Sequence, residues 1–84
     1  MLYRINVGVY HSMNTQIINK KQEDVHNRTG LRTVVQSSKY LNGYVSIYID
    51  KLFDDLEVAK AIVILLKMNH ISAYIDQYTE GACG

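Results

Sequence analysis

Hydrophobic and polar residues alternate along residues 2–10, which is the pattern of a strand with one buried face. The odd-numbered residues are predicted to face a core and the even-numbered residues to face away, so that Val9 lies inward and Tyr10 outward. The same alternation recurs at residues 44–50 and 71–78. Residues 31–36 predict a further strand, whose inward face the pattern leaves open between Leu31/Thr33/Val35 and Arg32/Val34/Gln36.

Two helices are predicted between these strands. The first spans about residues 13–28 and ends at Gly30, a residue suited to the left-handed turn that closes a helix. The second runs to about Met68 and begins at an acidic segment, with Asp54 as the expected cap and Glu57 in the first turn.

The resulting order, β-α-β-β-α-β, divides into two similar βαβ halves. Two interleaved right-handed crossovers give an α+β, ferredoxin-like fold, with a four-stranded antiparallel sheet and both helices on one face. The strands at residues 2–10 and 44–50 are predicted to lie in the centre. We expect a single domain over residues 1–78 and a flexible tail over residues 79–84.

The face of the sheet without helices is predicted to be rich in tyrosine. The chain has seven Tyr, one Phe and no Trp, and tyrosine is the aromatic residue that suits a partly wet surface. Aromatic rings beside amides and hydroxyls favour a sugar, because rings pack on the apolar faces of a pyranose while polar groups bind its hydroxyls. The competing interpretation is cross-strand tyrosine pairing for stability alone. The predicted ligand-binding residues are Arg4, Asn6, Tyr44, Ser46, Tyr48 and Tyr74.

The second helix is apolar around most of its circumference, whereas a helix lying on a sheet needs only one apolar stripe. This predicts a homodimer through Val58, Ile62 and Leu65, although scattered exposed aliphatic residues are also common in monomers. Residues 1–42 carry six basic and two acidic residues, and residues 43–84 carry three basic and six acidic ones. Such an asymmetry is compatible with pairing between copies of the chain.

Signs of catalysis are weak. The three histidines are scattered without metal-ligand spacing, and the one cysteine, Cys83, lies near the C-terminus with no base beside it. We therefore expect no catalytic residue, no metal and no cofactor. The chain begins without a signal-peptide pattern, and its longest apolar run, residues 61–66, is too short to span a membrane.

Two segments resemble the SPOR family of bacterial cell-wall-binding repeats. The run Tyr-Arg-Ile-Asn-Val-Gly-Val-Tyr-His-Ser at residues 3–12 is similar to the family's opening strand, with Asn6 where glutamine is usual. The run Phe-Asp-Asp-Leu-Glu-Val-Ala at residues 53–59 is similar to its second helix start, but the preceding V–G–P–F step is absent. Residues 71–75 resemble its closing strand.

The resemblance implies a non-catalytic module that binds peptidoglycan glycan and targets a lytic enzyme to its substrate. Without an anchor, the chain also resembles the C-terminal targeting modules of amidases and of phage endolysins, including clostridial ones. It would be synthesised without a signal peptide and act at the cell wall.

Two other functions are compatible with the sequence. Residues 42–49 faintly resemble the third-strand motif of RRM domains, which bind single-stranded nucleic acid. However, Ser46 stands at a stacking position, and the net charge of +1 argues against nucleic acid as a partner. The other alternative is a small regulatory or inhibitor protein that acts through a dimer of its second helix.

Overall fold

The computed structural model describes residues 1–78, so the predicted tail at 79–84 lies outside the described residues. The chain forms the predicted order of four strands and two helices. Their bounds are β1 Leu2–His11, α1 Thr15–Thr29, β2 Thr33–Ser37, β3 Tyr44–Ile49, α2 Leu56–Met68 and β4 Tyr74–Tyr78.

The strands form one antiparallel sheet in the order β2-β3-β1-β4, which confirms the α+β, ferredoxin-like prediction. Strands β1 and β3 lie in the centre, as the ferredoxin-like order predicted. Both helices pack on one face, and the buried side chains between the two layers come from β1, β3 and both helices. The opposite face, here called the open face, carries no helix.

The ends of both helices follow from local chemistry. Gly30 closes α1 in a left-handed conformation with φ of 75°, and its N–H donates to the carbonyl of His26. At the start of α2, the cap is Asp55 rather than the predicted Asp54. The Oδ1 atom of Asp55 accepts a hydrogen bond of 2.9 Å from the N–H of Glu57. The two adjacent aspartates have the same capping chemistry, so the sequence alone did not separate them.

A β-bulge in β1 overturns part of the predicted alternation. Asn6 pairs with Tyr48, but Gly8 pairs with Ile47, so one extra residue stands in β1 between them. Because side chains alternate with a period of two, the extra residue reverses every side chain after it. Val9 therefore lies on the open face and is 38% exposed, whereas Tyr10 packs against the core, the reverse of the prediction.

Two residues of the opening motif stabilise this bulge. The Asn6 Oδ1 atom accepts a hydrogen bond of 2.8 Å from the N–H of Gly8. Gly8 in turn leaves room for an aromatic ring, since a Cβ added there would lie 2.5 Å from Cε2 of Tyr10. The Asn-Val-Gly-Val-Tyr sequence thus has a structural explanation in the bulge itself.

Candidate functional site

The register of the strands settles which residues of β2 lie on the open face. Val34 pairs with Tyr48 and Gln36 pairs with Ser46, so Val34 and Gln36 share the face of those residues. The sequence left this choice open because β2 is short and has no clear alternation.

Arg4 forms the centre of the most ordered group on the open face. Its guanidinium carbon lies 3.7 Å from the ring centroid of Tyr48 and 5.2 Å from that of Tyr78. Its Nη2 atom donates a hydrogen bond of 2.8 Å to Oε1 of Gln36. We call these four residues, Arg4, Gln36, Tyr48 and Tyr78, the Arg4 cluster. Stacking and hydrogen bonding together hold the guanidinium in place over Tyr48, with part of its hydrogen-bonding capacity still available.

A shallow groove with a volume of about 210 Å³ opens beside this cluster. Arg4, Gln36 and Tyr78 line one part of it, and Lys51 and Leu52, which follow β3, line another. The groove thus combines aromatic and aliphatic surface with several hydrogen-bond donors and acceptors.

An acidic group lies on the β4 side of Arg4. Asp76 is directly opposite Arg4 in the β1–β4 pairing, and partial burial raises the pKa of its carboxyl although Arg4 acts to lower it. Burial, with further contributions from Asp76 and Tyr48, also raises the pKa of the Tyr74 hydroxyl. Tyr74 therefore stays a neutral hydroxyl, able to donate and to accept hydrogen bonds, throughout the neutral pH range.

The middle of the open face is polar but covered. Asn6 is 2% exposed and Ser46 is 6% exposed, although both belong to the side of the sheet without helices. Asn6 lies between Tyr48 on β3 and Tyr74 on β4, its two cross-strand partners. Tyr74 itself is 51% exposed. The amide and hydroxyl predicted as ligand contacts thus form the floor of the face, and the tyrosines form its accessible surface.

A second aromatic contact lies at the other end of the face. The rings of His11 and Tyr44 meet edge to face with centroids 5.3 Å apart, and the two residues are cross-strand partners. The Nδ1 atom of His11 accepts a hydrogen bond from the N–H of Met13, and the N–H of Ser12 donates to the carbonyl of Gly43. We call His11 and Tyr44 the His11–Tyr44 pair. The pair depends on the bulge in β1, because without the reversal that the bulge causes, His11 would lie on the core side of the sheet.

All six predicted ligand residues lie on the open face, but they separate by accessibility. Arg4, Tyr44, Tyr48 and Tyr74 offer surface to a ligand, whereas Asn6 and Ser46 lie beneath them. Sequence reasoning missed several neighbours in this surface. Asp76 and Tyr78 follow Tyr74 at the two-residue spacing of a strand, which was a usable signal. The missed residues are His11, Gln36, Asp76 and Tyr78.

The outer side of α2 is a different kind of surface. Val58, Ala61, Leu65 and Met68 recur at intervals of three and four residues and are all exposed. We call these four residues the outer stripe. Ile62, which was predicted with Val58 and Leu65 as an oligomer contact, is half-buried and packs against the core at the margin of this stripe.

Two further properties concern the described part of the chain only. Within residues 1–78, no group of three or more acidic, histidine or cysteine side chains is arranged to hold a metal ion. Neither helix in this range has the length and apolar character needed to cross a membrane.

Comparisons with known proteins support the fold. No family model matches the chain, and no curated protein matches it in sequence. The structure is similar to the solution structure of the peptidoglycan binding domain of the B. subtilis cell wall lytic enzyme CwlC, with a TM-score of 0.73. The two chains are 14% identical, and the match covers 93% of this chain and 90% of that one. The likeness shows a shared fold, in agreement with the resemblance drawn from the sequence.

Proposed function

We propose that this domain binds the glycan of bacterial peptidoglycan on its open face and does no chemistry itself. The observation that carries the proposal is the Arg4 cluster, a half-buried stack of arginine and tyrosine on the open face of a fold shared with a peptidoglycan binding domain. The fold alone does not assign a ligand, since one fold hosts many functions. The chemistry of this face is what favours a sugar.

The geometry suits a carbohydrate in two respects. The exposed ring of Tyr74, together with the part of the Tyr48 ring that Arg4 does not cover, provides flat apolar surface for the C–H faces of a pyranose ring. Around them, Arg4, Gln36 and Asp76 provide the donors and acceptors that bind hydroxyl and amide groups of the sugar. The face also brings opposite charges together, since Arg4 is the cross-strand partner of Asp76. A neutral or weakly charged polymer fits such a surface better than a polyanion does.

The cellular role that follows is targeting. We propose that the domain holds a lytic enzyme on its polymeric substrate, as a module of an amidase or of a phage endolysin. Binding to the wall raises the local concentration of the linked catalytic domain, so that weak binding by one module is sufficient. Such a protein acts at the cell wall.

Co-sedimentation with purified walls tests the proposal. The domain is mixed with peptidoglycan sacculi stripped of protein and secondary polymers, from several Gram-positive species, and the pellet is measured. We expect the native domain to pellet and Arg4→Ala to remain largely in solution. Lys20→Ala, which removes the same charge from α1, is the control and should pellet normally. If the native domain stays in the supernatant with every wall, the proposal is wrong.

We further propose that the outer stripe joins two copies of the chain. The spacing of Val58, Ala61, Leu65 and Met68 is that of a helix–helix seam. The charges favour a second copy as the occupant, because α2 begins with Asp54, Asp55 and Glu57 and ends beside Lys67 and His70. Arg28 adds a further cation at this end, where its Nη1 atom donates to the carbonyl of Asn69.

An antiparallel pairing of two α2 helices matches these charges. It places the acidic end of each helix beside the basic end of the other and opposes the two helix dipoles. Sedimentation equilibrium over a range of concentrations gives the mass. We expect a dimer at micromolar concentration that weakens as salt increases. A monomeric mass throughout that range would contradict the dimer while leaving wall binding unaffected.

A further inference from the structure

The open face has two aromatic contacts rather than one, and they lie in line along the strands. Tyr48, in the Arg4 cluster, and Tyr44, in the His11–Tyr44 pair, are both on β3 and on the same face. They are four positions apart in the sequence, which corresponds to roughly 13 Å along a strand. One sugar ring stacked on Tyr48 therefore does not reach Tyr44.

The His11–Tyr44 pair is built to hold its position. The rings of His11 and Tyr44 meet edge to face, and the His11 Nδ1 atom accepts a hydrogen bond from the N–H of Met13. The backbone of the same loop is tied to the β2–β3 turn by the hydrogen bond from Ser12 to Gly43. An exposed tyrosine that is held in this way loses little conformational entropy when a ligand packs on it.

The surface between the two contacts is suitable for a chain that passes over it. Val9 and Ser46 are cross-strand partners on this face, so the path between Tyr48 and Tyr44 crosses a small polar residue and an aliphatic one. Neither residue is charged. Beyond Tyr48, the path reaches Arg4, which lies two residues before Asn6 on β1. Arg4 lines the groove beside the Arg4 cluster.

We infer that the ligand is an extended glycan of three or more sugar rings that lies parallel to β1 and β3 and contacts both aromatic groups. This inference rests on the proposed function and adds the direction and minimum length of the glycan. The Arg4 cluster binds one part of the polymer, and the His11–Tyr44 pair binds another. Because the two contacts are made by one molecule, the second takes place at high effective concentration.

A crosswise arrangement is the alternative that the face also permits. Tyr74 lies on β4, two strands from Tyr48, with Asn6 between them. A short ligand that bridges Tyr48 and Tyr74 needs no contact with Tyr44. In the lengthwise arrangement, the gain in affinity with glycan length depends on Tyr44. In the crosswise arrangement, it depends on Tyr74.

Titration with peptidoglycan fragments of two, four and eight sugars, released by a muramidase and fractionated by size, separates the possibilities. For the native domain we expect the affinity to rise at least about tenfold from two to eight sugars. Tyr44→Ala should abolish this rise, because the eight-sugar fragment then has only the Arg4 cluster to contact. Tyr44→Phe, which keeps the ring, should retain it. Tyr74→Ala is the matched control and should weaken short and long fragments by the same factor.

Two outcomes overturn the inference. One is equal affinity of the native domain for two and eight sugars, and the other is a length dependence that disappears in Tyr74→Ala but persists in Tyr44→Ala. Either can occur in a domain that still pellets with intact sacculi, so the inference can fail while the proposed function stands. If the native domain binds neither sacculi nor fragments, the proposed function itself fails. Thermal melting of each variant checks that it is folded.

Discussion

The open face and the outer stripe of α2 are both exposed, but they differ in the kind of partner that each can bind. The open face carries aromatic rings with polar groups beside them, and its cationic residue Arg4 is already stacked on Tyr48 and bonded to Gln36. The outer stripe carries only aliphatic side chains, such as Leu65, with charges confined to its ends. Exposure alone thus says little, and the arrangement of polar groups around the apolar surface decides the partner.

The two surfaces also differ in how they are built. The outer stripe is a direct consequence of helical periodicity and depends on no special backbone feature. The open face depends on the bulge in β1, because that irregularity brings His11 beside Tyr44 and turns Tyr10 into the core. A perturbation of the bulge should therefore alter the open face while leaving the outer stripe as it is.

The largest difference between the surfaces should appear in binding to soluble wall fragments. Tyr48→Ala removes the ring on which Arg4 stacks, and we expect affinity to fall by roughly 2 kcal/mol or more, as for a central contact residue. Leu65→Asp should leave fragment binding within about twofold and should abolish the dimer. Calorimetric titration measures the first effect and sedimentation the second. Ile17→Asp places the same charge on an exposed aliphatic residue of α1, away from the stripe, and should preserve the dimer.

If Leu65→Asp weakens fragment binding as much as Tyr48→Ala does, the division of roles between the two surfaces is wrong.

The bulge gives the next largest effect, on the stability of the fold. Asn6→Ala removes a side chain that is 2% exposed and leaves the partly buried N–H of Gly8 without its hydrogen-bond partner. We expect the free energy of unfolding to fall by about 1–3 kcal/mol, the range for an unsatisfied buried polar group. Urea denaturation measures the change. Asn14→Ala is the matched control, because Asn14 precedes α1 without a side-chain capping bond. Equal losses in both variants would contradict a specific role for Asn6.

A smaller effect is expected at the start of α2. Asp55→Ala removes the hydrogen bond to the N–H of Glu57 and should lower stability by about 1 kcal/mol, the usual cost of losing an N-cap. Asp54→Ala should have almost no effect on unfolding in urea. Since neither residue touches the open face, both variants should bind wall fragments normally. If Asp54→Ala lowered the free energy of unfolding more than Asp55→Ala did, Asp54 would be the N-cap, as the sequence alone predicted.

The smallest effect concerns the charge beside Arg4. The pKa of Asp76 is raised above its ordinary value of 3.8, so the folded state disfavours the ionised carboxyl. The stability that this group contributes is fully present below about pH 4 and is lost as the pH rises through the raised pKa. Asp76→Asn should therefore be slightly more stable than the native domain at neutral pH.

The gain should correspond to less than about 1 kcal/mol and should disappear as the pH falls below 4. Thermal melting of both proteins across this pH range measures it. A native domain that is more stable than Asp76→Asn at pH 7 would show that the pairing with Arg4 outweighs burial.

The regular parts of the molecule were predictable from the sequence, and the irregular parts were not. In β3 the alternation is unbroken, so Ile47 and Ile49 were correctly placed in the core. In β1 the same reasoning failed after Gly8, because a period of two carries no information about an inserted residue. The sequence Asn6-Val7-Gly8 was the available sign of a bulge. It could be interpreted only once the structure showed the hydrogen bond from the N–H of Gly8 to Asn6.

The candidate site was predictable as a face but not as a set of contacts. Alternation correctly placed Tyr44, Tyr48 and Tyr74 together, since each stands on a regular strand. It did not show that neighbouring rings cover Asn6, because burial on an open face depends on side-chain packing across three strands. It left the orientation of Gln36 open, since the orientation of a short edge strand is settled by its register with β3 rather than by its own sequence.

The most direct test of the account is to map where wall fragments bind by NMR. The amide and side-chain signals of a labelled domain are followed as eight-sugar peptidoglycan fragments are added. We expect the largest changes at Arg4, His11, Tyr44 and Tyr48, with little change along the outer stripe. Changes concentrated on Val58, Leu65 and Met68, with the open face unaffected, would contradict the central claim that the sheet, and not the helix, binds the glycan.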